Sequence, residues 1–372
     1  MSNSKFKIEF TLKQHTPMIH FQSDQKGATL RATELKPKLD RFLKSKLKIV
    51  DNQLYEKYKE IIEDEAIFPP DGIGSSAYAI SIKYNGKAII ETPKAYVNSR
   101  KETDKSVYQA PYFSDNLTVF TDEKIDVSIK SFNTELLELI SKTIDYIFIF
   151  ENFGTRQSKG FGSFLREDIS ANDINKILSN HQNKIFSLGS YGNYKKAFLT
   201  IDSFYKKLKM GINKPYKKSL LFQYMCTENI GWEKKFLKNK FPQIIHGTHT
   251  PVVCKEPDDR EFKYIRAVLG LAEHNEFRPN GVEKQVKIES VDRDENDPKK
   301  ARYQRFKSPI TFKVFNRSIY LIFDKSYEAI LNKEFYFKLD RQKEKLFTPK
   351  EFDMYEFLKF VEKETGLKEV KV

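Results

Sequence analysis

His15 and His20 bracket a Thr16-Pro17 step near the start of the chain. Histidine titrates near neutrality, so such a pair suits general acid–base proton transfer. In a loop the same residues serve equally as caps, stacking groups or phosphate donors. Farther on, His246-Gly-Thr-His249 precedes Cys254, which gives three zinc-type ligands where a structural site needs four. Cys226 is the only other cysteine, so there is neither a CxxC pair nor a disulfide framework, and neither metal nor cofactor is expected. The densest chemistry lies at ENFGTRQSKGFGSFL (151–165), where Gly154, Gly160 and Gly162 stand among Arg156, Lys159, Phe153, Phe161 and Phe164.

Three kinds of chemistry fit a glycine-rich, cationic and aromatic turn. A nucleotide-binding P-loop requires lysine after its second glycine and a helix behind it. Here Lys159 precedes Gly160 and an apolar helical run comes first, which excludes it. The stacking motif of RRM-type RNA binders begins Lys/Arg-Gly-aromatic-Gly. Lys159-Gly160-Phe161-Gly162 matches that start, but Ser163 shifts the next aromatic by one residue and hence to the other strand face. The third kind is a phosphate grip, in which glycine permits close backbone approach and Arg156 and Lys159 add charge. A turn that only closes a sheet is the plainer alternative. Between flanking glycines, Phe161 is expected to be uncovered and able to stack on a base.

The elements that must position these residues follow from periodicity. Phe6, Ile8, Phe10 and Leu12 alternate with polar residues as a half-buried strand. After a loop, Leu35, Leu39, Phe42 and Leu43 recur at helical spacing and place Lys38 and Arg41 together on the opposite face. Residues 51–65 read as an exposed charged helix. Strands at 78–84 and 87–92 flank Asn85-Gly86, a hairpin signal, and 117–129 alternates as a further strand. Asn133 caps a helix running to Phe150, the glycine-rich turn follows, and 161–166 returns as a strand. Strand, helix, strands, helix, turn, strand is the ferredoxin-like βαββαβ order. A polar stretch over 168–195 marks a boundary. The second half opens with a basic helix (196–210), contains helical stretches near 228–237 and 262–271, a charged loop (292–305) and a hairpin about Asn316-Arg317-Ser318, and closes on a helix over 349–365.

Charge narrows the partner. The 372 residues carry 65 Lys and Arg against 51 Asp and Glu, a formal charge of +14, which favours a polyanion. No apolar run approaches the roughly 18 residues that would span a bilayer, and the N-terminus lacks a secretion-signal core. A membrane role is therefore not expected, and the location is expected to be cytoplasmic.

A glycine-rich turn with basic residues, placed between second helix and last strand, resembles the RAMP superfamily of CRISPR proteins. GTRQSKGFGSF carries that likeness, and HTPMIHFQSDQKGATLRATELKPKLDRFL adds a Thr-Pro after the first strand and a Leu-Arg-Ala before a basic helix. That combination is most similar to the first RAMP subunit of type III-B (Cmr) effectors, and Arg305-Phe306-Lys307-Ser308-Pro309-Ile310 is a further echo. The loop after the first strand is short and Asp24 is its only carboxylate, unlike the RNA-cleaving backbone subunits. The resemblance implies an α+β protein of two ferredoxin-like (RRM-like) βαββαβ domains with insertions, at 1–168 and 195–372, the second degenerate. It implies a non-catalytic subunit that binds guide and target RNA near the guide 3′ end, beside other RAMP subunits, in antiviral defence. The RNA contacts expected are Lys26, Arg31, Lys36, Lys38 and Arg41, with Arg156, Lys159, Gly160, Phe161 and Gly162. A guide-processing endoribonuclease using His15 or His20, and an RRM-type binder outside CRISPR, are the alternatives.

Overall fold

Lys7–Gln14 forms the first long strand (β1), with Ile8, Phe10, Leu12 and Gln14 turned inward as the alternation implies. It belongs to a computed structural model that describes residues 2–20, 29–70, 73–84, 86–98, 103–111, 117–213, 215–245, 261–277, 279, 282–293 and 306–370. The chain forms two units. One comprises Met1–Asp202, Thr311–Ile322 and Gly366–Val372; the other comprises Ser203–Ile310 and Phe323–Thr365.

In the first unit β1 is followed by α1 (Ala32–Arg41), β2 (Ala79–Tyr84), β3 (Ile125–Lys130), α2 (Thr134–Phe150) and β4 (Phe164–Arg166). β1 pairs antiparallel with β3 from Lys7↔Lys130 to Leu12↔Ile125, and with β4 from Leu12↔Arg166 to Gln14↔Phe164. β2 lies on the far side of β3, so the order across the sheet is β4-β1-β3-β2. α2 begins where its cap predicts, with the Asn133 side chain accepting from the Leu136 amide at 2.9 Å. Leu136, Ile140, Ile144 and Ile147 of α2 join Leu35 and Leu39 of α1 in one core with Ile8, Phe10 and Leu12. α1 continues through a π-helical turn at Phe42–Lys46.

Asn85 lies outside the described residues, and the strands on either side of it do not pair with each other. β2 pairs with β3, whereas the next strand, Ile89–Lys94, pairs with Val107–Gln109 and Thr118–Phe120 in a separate sheet. Residues 117–129 likewise divide between two sheets. Full-length pairing of β2 on β3 packs Ile80, Ile82 and Tyr84 on the core, which outweighs a two-residue turn preference. The 51–65 stretch is helical but not simply exposed, since Tyr55, Tyr58, Ile61 and Ile62 are buried. Ser170 caps a helix over Ala171–Asn180 that buries Ile174, Ile177 and Leu178.

A second sheet has the order β8-β9-β5-β12, formed by β5 (Phe186–Ser190), β8 (Ile310–Phe315), β9 (Ser318–Phe323) and β12 (Lys368–Glu369). Asn316 and Arg317 both adopt left-handed conformations (φ 47° and 60°), as a tight β8–β9 turn demands. Between β5 and β8 run α3 (Tyr194–Tyr205) and α4 (Glu233–Lys240). The second unit holds the antiparallel sheet β6-β7-β10-β11: His274–Phe277, Lys284–Ser290, Glu334–Leu339 and Gln342–Phe347. Asp353 caps α5 (Met354–Glu364), a shorter helix than 349–365. Near 262–271 the backbone is a short strand (Glu261–Lys263) and a 3₁₀ turn (Ile265–Leu269), and the charged loop beyond 293 lies outside the described residues up to 305. No helix among the described residues is long and apolar enough to cross a membrane.

Candidate nucleic-acid interface

Where α2 ends, the chain folds back on itself. The Phe153 amide donates to the Gly162 carbonyl at 2.8 Å, closing the turn at its base. Inside it, Gly154, Gly160 and Gly162 take positive φ (77°, 89° and 70°), and so does Arg156 at 54°. Arginine in that region is uncommon and costly, so the surrounding bonds must hold it. They come from the Thr-Pro loop. The Thr16 hydroxyl donates to Gly160 O at 2.7 Å and accepts from the Ser163 amide at 2.9 Å. The Gly162 amide donates to Pro17 O, the His15 amide to Ser163 O and the Thr155 amide to Ile19 O, each at 2.8 Å. The two segments that resemble RAMP proteins are therefore one hydrogen-bonded structure. Thr16→Val keeps the shape and removes both hydroxyl bonds inside a buried site, and is expected to cost about 1–3 kcal/mol. Thermal unfolding measures this; an unchanged midpoint would mean the hydroxyl does not brace the turn.

Helix α1 reaches the same place. Lys38 donates to Asn152 O and to Gln157 Oε1 (2.5 Å) and pairs with Glu151 at 3.1 Å. Lys46 pairs with the other Glu151 oxygen. The Asn152 side-chain nitrogen Nδ2 donates to Gln157 O at 2.7 Å and to Phe312 O at 2.8 Å, which ties in β8. Beside it Lys313, fully buried, donates to Glu151 O at 2.5 Å. Burial alone would raise the Glu151 carboxyl, but the Lys38 and Lys46 ammoniums outweigh it and hold it at about 2. Burial drives Lys313 well below the usual lysine range, helped by Lys38 and opposed by Glu151. Burial, then Lys313 and Lys13, lowers His15 to about 3, so its ring is neutral at physiological pH. His20 is buried, with Nδ1 3.4 Å from Glu34 Oε1.

The expected contact residues separate into two groups. Arg41 and Arg156 are exposed, and Arg31 and Lys159 are half-buried at the surface. Arg41 lies one helical turn beyond Lys38, on the face of α1 that meets the turn. The others are structural here. Lys36 donates to Ser75 Oγ, Ser76 O and Tyr78 O, and Lys38 is held as described. Phe161 corrects an expectation: it is 0% exposed and stacked on Phe198 at 4.4 Å, so no base reaches it. The amides of Gly160 and Gly162 are likewise spent, on Gln157 O and Pro17 O. A Cβ at Gly160 would stand 3.0 Å from Ile201 Cδ1, so this glycine faces the interior and shapes the turn from within. Lys26, Arg305 and the His246, His249 and Cys254 group lie outside the described residues, among which no cluster of metal-ligating side chains occurs.

The open face of the β4-β1-β3-β2 sheet, where an RRM-type binder would stack bases, is a depression of about 630 Å³. Lys7, Lys83 and Lys130 line it against Glu9, Asp126, Glu167 and Asp168, and its one aromatic, Phe10, is buried. The lining of that depression offers RNA neither an exposed ring nor an excess of positive charge. Sequence reasoning missed Thr16 as a brace, Glu151 and Asn152 as anchors, and Lys313 altogether. One signal for Lys313 was present: it is the lone charge in the apolar run ITFKVF.

Comparison with curated protein sequences finds no match. Among solved structures, the crystal structure of Cmr1 from Pyrococcus furiosus in its apo form aligns over 98% of both chains at 12% identity, with a TM-score of 0.45. A chain of the cryo-EM structure of the type III-B Cmr-beta bound to cognate target RNA aligns over 44% of this chain and 60% of that one, at 13% identity and a TM-score of 0.27. Both likenesses are too distant to carry an argument. The domain families are decisive, because the Cmr1 N-terminal domain matches residues 5–212 and the Cmr1 C-terminal domain matches residues 216–371. This chain belongs to the Cmr1 family.

Proposed function

We propose that this protein is a non-catalytic subunit of a type III-B CRISPR effector that holds guide and target RNA near the guide 3′ end, beside other RAMP subunits, in the cytoplasm. The observation that carries the reading is the braced turn. Arg156 is held in a left-handed conformation at its exposed edge, with Lys159 beside it and Arg41 on the adjoining helix. Such a fixed cationic edge grips phosphates without reading bases, because ordering costs were met on folding. The order β4-β1-β3-β2 about α1 and α2 supports a ferredoxin-like first unit; the second, with its sheet β6-β7-β10-β11, is the degenerate partner. His15, with its pKa lowered to about 3, and the buried His20 favour binding over cleavage, since a general acid must carry a proton, a general base must attract one, and either must reach its substrate.

Arg156→Ala with Lys159→Ala is expected to weaken single-stranded RNA binding and to flatten its salt dependence by up to about two phosphate contacts. A titration at low and high salt measures both. Wild-type binding by the double variant would overturn the reading. Specific cutting of repeat RNA that disappears with His15→Ala or His20→Ala would replace it with the processing-enzyme alternative.

A further inference from the structure

The second unit carries a surface that the turn does not explain. In the β10–β11 hairpin Tyr336 faces Lys345, Lys338 faces Lys343 and Glu334 faces Phe347. Strand alternation therefore puts Glu334, Tyr336, Lys338, Lys343, Lys345 and Phe347 on one face, with Glu289 of β7 opposite Tyr336, while Phe335, Phe337, Leu339 and Leu346 are buried on the other. Three ammoniums surround the half-exposed Tyr336 ring, Lys343 at 3.3 Å from its centre, Lys345 at 5.3 Å and Lys338 at 5.8 Å. A depression of about 580 Å³ opens beside it, lined by Phe236 and Lys240 of α4 with Tyr336, Lys343, Glu344 and Lys345. Lys240 lies over the Phe236 ring at 5.8 Å.

We propose that this face is a stacking platform for single-stranded RNA, with Tyr336 as its central ring and Lys240 and Lys343 as its phosphate contacts. The proposal rests on the RNA-binding reading above but on a different unit and different residues. Lys338 and Lys345 are paired with Glu289 and Glu334, whereas Lys343 and Lys240 rest on rings. An ammonium over a ring is exchanged at little cost. A base takes its place on the Tyr336 face, and the displaced ammonium meets the phosphate that arrives with the base. The charges favour a polyanion, since Lys240, Lys343 and Lys345 line the depression against Glu344, and of these only Lys345 is paired with a carboxylate at its edge, Glu334. The ring favours a base over an acidic side chain, because every nucleobase offers a flat face to stack and a carboxylate offers none.

The test uses the full chain and fluorescein-labelled oligo(A) of about 15 nucleotides, with an abasic strand of equal length as control. Wild type is expected to bind oligo(A) more tightly than the abasic strand. Tyr336→Ala and Tyr336→Leu should lose about 5-fold or more on oligo(A), with little change on the abasic strand, and Tyr336→Phe should retain binding. Melting curves identical to wild type would confirm that the ring, not the fold, was removed. The loss should persist in the Arg156→Ala, Lys159→Ala background. If the turn variant binds normally while Tyr336→Ala is weak, the turn reading fails and this one stands. Wild-type affinity in Tyr336→Ala overturns the platform alone, and no RNA binding by wild type overturns both. Displacement of the RNA by poly-L-glutamate, equally from wild type and Tyr336→Ala, would overturn it in favour of an acidic polypeptide partner.

Discussion

Gly162→Ala is expected to unfold the first unit or leave it insoluble. A Cβ at this position would lie 1.9 Å from Phe153 O and 2.8 Å from Phe153 C, with φ at +70°. Neither side can yield cheaply, because Gly162 O accepts from the Phe153 amide and the Gly162 amide donates to Pro17 O. Relieving the clash means breaking the base of the turn and its seam with the Thr-Pro loop. The cost is expected to exceed about 4 kcal/mol, in the range reserved for strain compounded with lost buried bonds. Gly189→Ala is the matched control. It has φ of +88° but nothing within 4 Å of its Cβ, so only the left-handed penalty of about 1–2 kcal/mol applies. Soluble yield and thermal melting of the two variants measure the difference. Equal melting would show that the close approach at Gly162 is not made.

The second large effect belongs to Glu151. Glu151→Gln leaves the nearly buried Lys38 without its counter-charge and is expected to destabilise by about 3–5 kcal/mol. The pH dependence has a defined sign. The folded carboxyl is held at about 2, below its ordinary 4.5. Its contribution is therefore fully present above pH 4.5 and is lost as pH falls toward 2. Glu151→Gln should remove that part of the acid limb from a melting-against-pH profile. Lys313 acts in the opposite region. Its folded pKa lies well below 10.5, so the unfolded state binds the extra proton and stability rises with pH up to about 10.5. Lys313→Met should flatten that rise, and at neutral pH it is expected to cost about 1–3 kcal/mol, because the buried Glu151 carbonyl loses its donor. A Glu151→Gln variant that melts like wild type at pH 7 would show that the lysines do not depend on this carboxylate.

What the sequence determined by itself is local or carried by motif. The alternation of Ile8, Phe10 and Leu12 yields β1, Asn133 starts α2, and Asn316-Arg317 turns β8 into β9, because each signal is complete within a few residues. The Thr-Pro and glycine-rich segments pointed to the family that the domain matches establish. Tertiary structure decided the rest. Phe161 looked uncovered between two glycines, and Phe198, from a distant helix, covers it. Lys36 and Lys38 looked like phosphate contacts until Ser75, Tyr78, Asn152 and Glu151 engaged their ammoniums. Asn85-Gly86 marked a hairpin, yet β2 found β3 instead. Nor did any local pattern indicate that Thr311–Ile322 belongs with the first unit. In each case a turn or charge preference of about 1 kcal/mol met a long-range burial or pairing worth more, and that partner is not written next to it in the chain.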